Sequence, residues 1–258
     1  MELTVLGSSV FTCEYKALFG ISRNDTRSPF MPAGTVHNVY YDYYSAIAAS
    51  GEPGLVFWFL FVKMPLISRT PNCPRFTDED TQALVDEYGS ATVGPNYTVK
   101  DLWEARVKTG LVPLEEGVLK QWSHGRVLLT DSVHKVTING GLGGNLAFEG
   151  IAHFTNSLVP LLQRNQSPSM TELTELFLHF NCLHRPRAMT MNSVSSKLTR
   201  YEAQDTWLLK LASRYVSPWI SDKMKANFYA NIAKRAPWLE FLPLPAQDPD
   251  LAAKKTES

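Results

Sequence analysis

The sequence predicts an α+β fold, with an antiparallel sheet first, one strand–glycine loop–helix unit at the centre, and helices to the C-terminus. Three observations carry this. Runs of β-branched and aromatic residues separated by turn formers fill positions 11–62. A glycine-rich stretch, Gly140 to Gly144, stands between a short apolar run and a long stretch of helical spacing. Beyond Ser167-Pro168-Ser169 the apolar residues recur at helical intervals.

In order, Phe11 to Ile21, Thr35 to Tyr44 and Leu55 to Val62 read as three strands. Ser22 to Asp25, Pro32-Ala33-Gly34 and Gly51 to Gly54 bound them, and such short connections make a meander. Thr77 then opens a helix to Tyr88, with Thr77 as N-cap, Asp80 as its capping partner, and acids at the positive end of the helix dipole. A second helix is expected from Val99 to Lys108. Residues 125–131 read as a short buried strand ending at Asp131, and the helix behind the glycines is expected from Asn145. Met170 to Tyr201, Asp205 to Val216 and Ser221 to Ala233 read as separate helical segments, with Pro218 and Pro237 as breaks. The chain thus divides into 1–118, a sheet with inserted helices; 119–166, the strand–loop–helix unit; 167–250, a helical region; and 251–258, a tail expected to be disordered.

The 258 residues carry 25 basic and 25 acidic side chains, so no net field draws the chain to nucleic acid. Cys13, Cys73 and Cys182 are widely spaced and form no CxxC pair. They read as reduced thiols of a cytoplasmic protein, with peripheral attachment to a membrane as a second expectation. The N-terminus lacks the cationic start of a signal peptide. Leu55 to Val62, the longest apolar run, is less than half of the roughly 20 residues a spanning helix needs, so no transmembrane segment is expected. His179 and His184 form no HxxxH pair, and no metal is expected.

The most shaped stretch is Val127 to Phe154. A strand that delivers Asp131 beside glycines and a helix start offers one acceptor carboxylate and several free amides in a small space. That suits a polyol attached to a partly anionic ring or phosphate. The same glycines also serve a tight turn into a helix, and on the residues alone both readings stand. Elsewhere the ordinary readings lead. Tyr40 to Tyr44 reads as strand packing rather than a pocket, His134-Lys135 as a solvated pair, Glu115-Glu116 as a solvated turn, and His184 to Arg187 as a helix break with surface charge.

The stretch Gly125 to Glu149, with Thr130-Asp-Ser-Val-His-Lys-Val-Thr-Ile-Asn-Gly-Gly-Leu-Gly-Gly-Asn145 inside it, resembles the second FAD motif of aromatic-hydroxylase-type monooxygenases, Gly-Asp-Ser-x-His-Lys-x-x-Pro-x-x-Gly-x-Gly-x-Asn. The flanks Cys13 to Ser22, Trp58 to Phe61, Pro74 to Thr77, Asp101 to Trp103 and Leu111 to Gly117 are similar to the fungal branch that epoxidises prenyl chains in indole-diterpene and meroterpenoid pathways. The resemblance covers nearly the whole chain. It implies a substrate-binding sheet, a partial FAD-binding strand–loop–helix and C-terminal helices, in a protein of fungal secondary metabolism acting on an apolar, prenylated or polycyclic small molecule. Asp131 would meet the ribityl chain or adjoining phosphate of FAD. Gly144 and Asn145 would lie under the pyrimidine end of its ring, with Gly143 also among the cofactor-binding residues and NADPH as reductant. The resemblance names no catalytic residue, since this chemistry belongs to the flavin.

Two departures stand inside the motif: Thr130 replaces a glycine and Ile138 a proline. A third lies outside it, since no GxGxxG follows a strand anywhere in the 258 residues, and the N-terminal Rossmann-like segment of that family reads as missing. Stable FAD binding by this chain alone is therefore not expected, and the chain reads as truncated. Strands near Val127 to Leu129 should expose an apolar face open to a protein partner or self-association. Three forms follow: a monooxygenase inactive alone, a flavin-free catalyst of a terpenoid cyclisation or rearrangement using a buried acid such as Asp131, or a non-catalytic binding protein.

Overall fold

The computed structural model describes residues 11–25 and 29–242. The N-terminal ten residues and the tail at 251–258 lie outside them. Among the described residues ten strands and six α-helices follow in chain order: β1 (Thr12–Arg23), β2 (Thr35–Tyr41), β3 (Tyr44–Ser50), β4 (Leu55–Arg69), α1 (Asp78–Tyr88), β5 (Thr92–Gly94), β6 (Tyr97–Thr98), α2 (Val99–Glu104), β7 (Arg106–Val118), β8 (Ser123–His124), β9 (Val127–Leu128), β10 (His134–Lys135), α3 (Leu142–Arg164), α4 (Met170–Glu202), α5 (Trp207–Tyr215) and α6 (Asp222–Ala233). The main sheet is antiparallel, in the order β10-β7-β1-β4-β3-β2.

Alternation along the strands gives the sheet two unlike faces. Leu18, Trp58, Leu60 and Val62 point to one side and form a core with Leu84 and Val85 of α1 and Val99 and Leu102 of α2. Gly20 stands opposite Trp58, and a Cβ there would lie 2.4 Å from the indole. The bare position lets the ring lie over β1, where Trp58 Nε1 donates to Ser22 Oγ at 2.7 Å and Ser22 Oγ donates to the Leu102 carbonyl at 2.6 Å. On the other side Tyr15, Ala17, Phe61 and Leu114 pack against Ala203 at the end of α4. A second core joins Trp122, Val133, Leu142, Leu146, Phe180 and Met191, binding α3 to α4.

Several expectations are corrected. The Thr35 to Tyr44 run is broken by a hairpin at Asp42-Tyr43, where Tyr43 takes φ +68°, and the alanine-rich β3 follows it. The second helix stops at Glu104, and β7 begins two residues later. Gly110, Pro113 and Gly117 argue against a strand locally, but pairing with β1 outweighs them. Glu115 and Glu116 therefore lie in a strand, not a solvated turn; Glu116 is buried and paired with Arg200 at 2.8 Å. Around residue 127 only a two-residue strand forms, and Val127 is 62% exposed rather than buried. α4 runs unbroken through Pro186, because packing on α3 holds both sides of the missing hydrogen bond. His184 is buried there, and Arg187 pairs with Glu149 at 2.7 Å. The capping box on α1, Thr77 with Asp80, forms as expected.

Candidate functional site

Leaving β9, the chain makes one tight turn at Asp131–Val133, adds β10 to the sheet edge, makes a second at Ile138–Gly140, and enters α3. Gly141 takes φ +62°, a left-handed conformation that glycine adopts without penalty, and its N–H donates to the Ile138 carbonyl at 2.8 Å. While α1, α2 and α4 each start on a Thr or Ser capping box, α3 starts on Gly141 with no side-chain cap. Its first amides, on Leu142, Gly143 and Gly144, thus lack intrahelical partners and carry the positive end of a 23-residue helix.

Asp131, Gly143 and Gly144 line one open cleft of about 440 Å³, with Glu115, His134 and Lys135. A Cβ on Gly144 would meet no protein atom within 4 Å, and one on Gly143 would first touch Val136 at 3.4 Å. The glycines therefore keep space free beside the carboxylate. Asp131 is exposed, which removes it as the buried acid expected of a flavin-free catalyst. Asn145 is not brought to the cleft. Its side chain donates back to the Gly141 carbonyl at 3.1 Å and borders a different groove, with Phe148 and Tyr229.

His134 is buried against Trp122, not solvated, and that burial pushes its imidazole below the usual histidine range although the Asp131 charge opposes it. Lys135 is the exposed member of the pair and forms an ion pair with Glu115. Ile138 is the first residue of its turn, where a proline would lose no hydrogen bond, so the substitution leaves the loop's path intact. Tyr41 stacks on Tyr44 at 4.6 Å and Tyr40 meets Tyr201 edge-on at 5.8 Å, so these tyrosines pack rather than line a common pocket. Among the described residues no group of three or more His, Cys, Asp or Glu stands where it could hold a metal ion.

Two features were not singled out from the sequence. The sheet face beyond Ala203 is left open: Phe19, Ile21, Ile47 and Phe59 are half-buried, and Phe57 is 39% exposed. Their register, Phe19 opposite Phe59 and Phe59 opposite Ile47, makes a continuous apolar surface. Second, α4 presents a row of small polar residues and Glu202 to the loop at Lys135–Asn139. Its spacing of three, four and three residues is legible in the sequence, but only the fold says what it faces.

No protein-family model matches the chain. It is 37% identical over 237 residues to the FAD-dependent monooxygenase dpchE of Colletotrichum higginsianum, covering 91% of this chain and 50% of that protein. It is 34% identical over 247 residues to the FAD-dependent monooxygenase ausM of Penicillium brasilianum, covering 94% and 51%. Among solved structures, Klebsiella pneumoniae HpxO complexed with FAD and uric acid superposes with a TM-score of 0.70 at 16% identity, covering 90% of this chain and 56% of that one, which shows the fold. The chain spans about half the length of the curated relatives it matches. With the motif around Asp131 and relatives at 31–37% identity along about 90% of its residues, the chain belongs to the fungal FAD-dependent monooxygenases and corresponds to their C-terminal half.

Proposed function

We propose that this chain forms the substrate sheet and the ring-side wall of the FAD site in a monooxygenase of fungal secondary metabolism that epoxidises or hydroxylates a prenylated or polycyclic molecule. One observation carries the reading: a free carboxylate, uncapped helix amides and side-chain-free space meet in one cleft. Asp131 is suited to accept hydrogen bonds from a polyol, and the amides of Gly143 and Gly144 to stabilise negative charge on a ring laid over them. FAD, reduced by NADPH, would activate molecular oxygen and supply the atom transferred. The chain's own part is to bind, orient and exclude water, and the open face around Phe57 and Phe59 offers an apolar substrate the area it needs.

An exposed stripe on α3, Gly144, Phe148 and Ile151, leads away from the cleft, and Phe148 is 73% exposed. We read it as the seat of the protein segment that grips the nucleotide tail of FAD, or of a second copy. No helix among the described residues is long and apolar enough to cross a membrane. A cytoplasmic site with peripheral attachment would rest on α5, whose Trp207, Leu208 and Leu211 are exposed beside Lys210 and Arg214.

The test is titration of the chain with FAD up to millimolar concentration, read by flavin fluorescence. Binding is expected to be weak, and Asp131→Ala and Gly144→Leu should each weaken it about tenfold. Saturable binding that ignores both substitutions, or no binding at all, would refute the reading.

A further inference from the structure

On the face of α4 toward the loop, Asn192 Nδ2 donates to the Lys135 carbonyl at 2.7 Å, Ser195 Oγ to the Thr137 carbonyl at 2.6 Å, and Thr199 Oγ1 to Asn139 Oδ1 at 2.9 Å. Asn139 Nδ2 then donates to Glu202 Oε2 at 2.5 Å, and Glu202 Oε1 accepts from Asn38 Nδ2 on β2 at 2.9 Å. Glu202 is only 2% exposed, and the guanidinium two residues before it, Arg200, is taken by Glu14 and Glu116. A buried carboxylate without a cation is costly, and here two amides from two separate elements hold it. Asn38 lies in the same cross-sheet row as Ile47 and Phe59 of the open face, while Asn139 lies in the turn beside the glycines.

We propose that Glu202 is a positioning residue whose carboxylate ties the turn beside the glycine cleft to the open sheet face, and that protonation releases one of the two. The idea rests on the reading that a substrate lies between those surfaces. Both oxygens face N–H donors, so a proton on either finds no acceptor there and one amide must turn away. Burial pushes the Glu202 carboxyl above the usual carboxylate range, against the opposing pull of Asn139 and Asn38. The tie is therefore made above that raised value and lost as pH falls through it. Whole-fold stability runs the other way: the unfolded chain holds this proton less firmly, so the burial cost disappears as pH falls. The titratable groups around the carboxyl are Tyr40 on β2, Tyr201 on α4 and Tyr229 on α6; burial raises Tyr40 and Tyr229, and the turn adds no charge.

The experiment is hydrogen exchange of the full chain without flavin, following the peptide around 136–141 as protection factors corrected for the intrinsic pH dependence of exchange. Wild type should lose about tenfold protection as Glu202 protonates. Glu202→Gln, which like the protonated carboxyl sets one donor against two amide donors, should show the low protection of acidified wild type at every pH and lose the pH dependence, and Glu202→Leu should be unprotected throughout. A flat wild-type profile, or a titration that survives in Glu202→Gln, would overturn the proposal even if Glu202→Leu fails to fold. Flavin is absent, so a titrating tie in a chain whose FAD binding ignores Asp131 would sink only the cofactor reading. FAD binding that depends on Asp131 beside a loop indifferent to pH would sink only the tie.

Discussion

The two faces of the main sheet are built from the same strands and the same alternation, yet one is closed and the other is not. Trp58, Leu60 and Val62 are buried under α1 and α2, while Phe57 and Phe59, their chain neighbours, look out from the opposite face with part of their surface free. Apolar character is similar on both sides. The difference lies in what stands opposite among the described residues: two capped helices on one face, and on the other the end of α4, which covers Tyr15, Ala17, Phe61 and Leu114 and leaves Phe57 and Phe59 part-exposed. An apolar face left uncovered by its own chain stores binding capacity rather than stability.

The sharpest way to break this contrast is a pair of deletions. Trp58→Ala should cost about 3–5 kcal/mol of unfolding free energy in urea, and Phe59→Ala about 1 kcal/mol, because a half-exposed ring leaves no sealed cavity. Equal losses would mean that the open face is packed as tightly as the closed one. A smaller effect comes from the glycines. Gly20→Ala drives a methyl into the wedged Trp58 ring and should cost about 2 kcal/mol. Gly110→Ala meets only the tip of Phe19, 2.7 Å away on the open side, where the ring can swing off, and should cost about 0.5 kcal/mol. A small effect on stability, and the most telling one for function, is expected of Phe57→Thr at the exposed end of this face: apolar-dye binding should fall severalfold while the urea midpoint moves less than in Phe59→Ala.

Much of this was legible in the sequence. The capping pair Thr77 and Asp80, the long helices and the cleft of Asp131 with Gly143 and Gly144 follow from local chemistry, which a chain carries wherever it folds. β7 was not legible, because Gly110, Pro113 and Gly117 weaken a strand locally and only its pairing with β1, remote in sequence, restores it. Glu116 and His184 were misread for the same reason, since the Arg200 that pairs with Glu116 and the Trp122 and Phe180 rings that enclose His184 are set by the fold and not by periodicity. Asn145 shows the limit of a motif: it occupies the expected place in the sequence, but its amide folds back on Gly141.

The rungs between α4 and the loop also act as a ruler. Seven residues of helix from Asn192 to Thr199 advance about 10 Å, and the segment from Lys135 to Asn139, extended up to the turn that opens at Ile138, covers a similar distance in four steps. Two backbones of unlike pitch thus stay in step over the same length only because the attachment points are chosen to coincide. Loss or gain of one residue in either segment would put every rung out of phase at once, so this stretch should tolerate changes of side chain far better than changes of length.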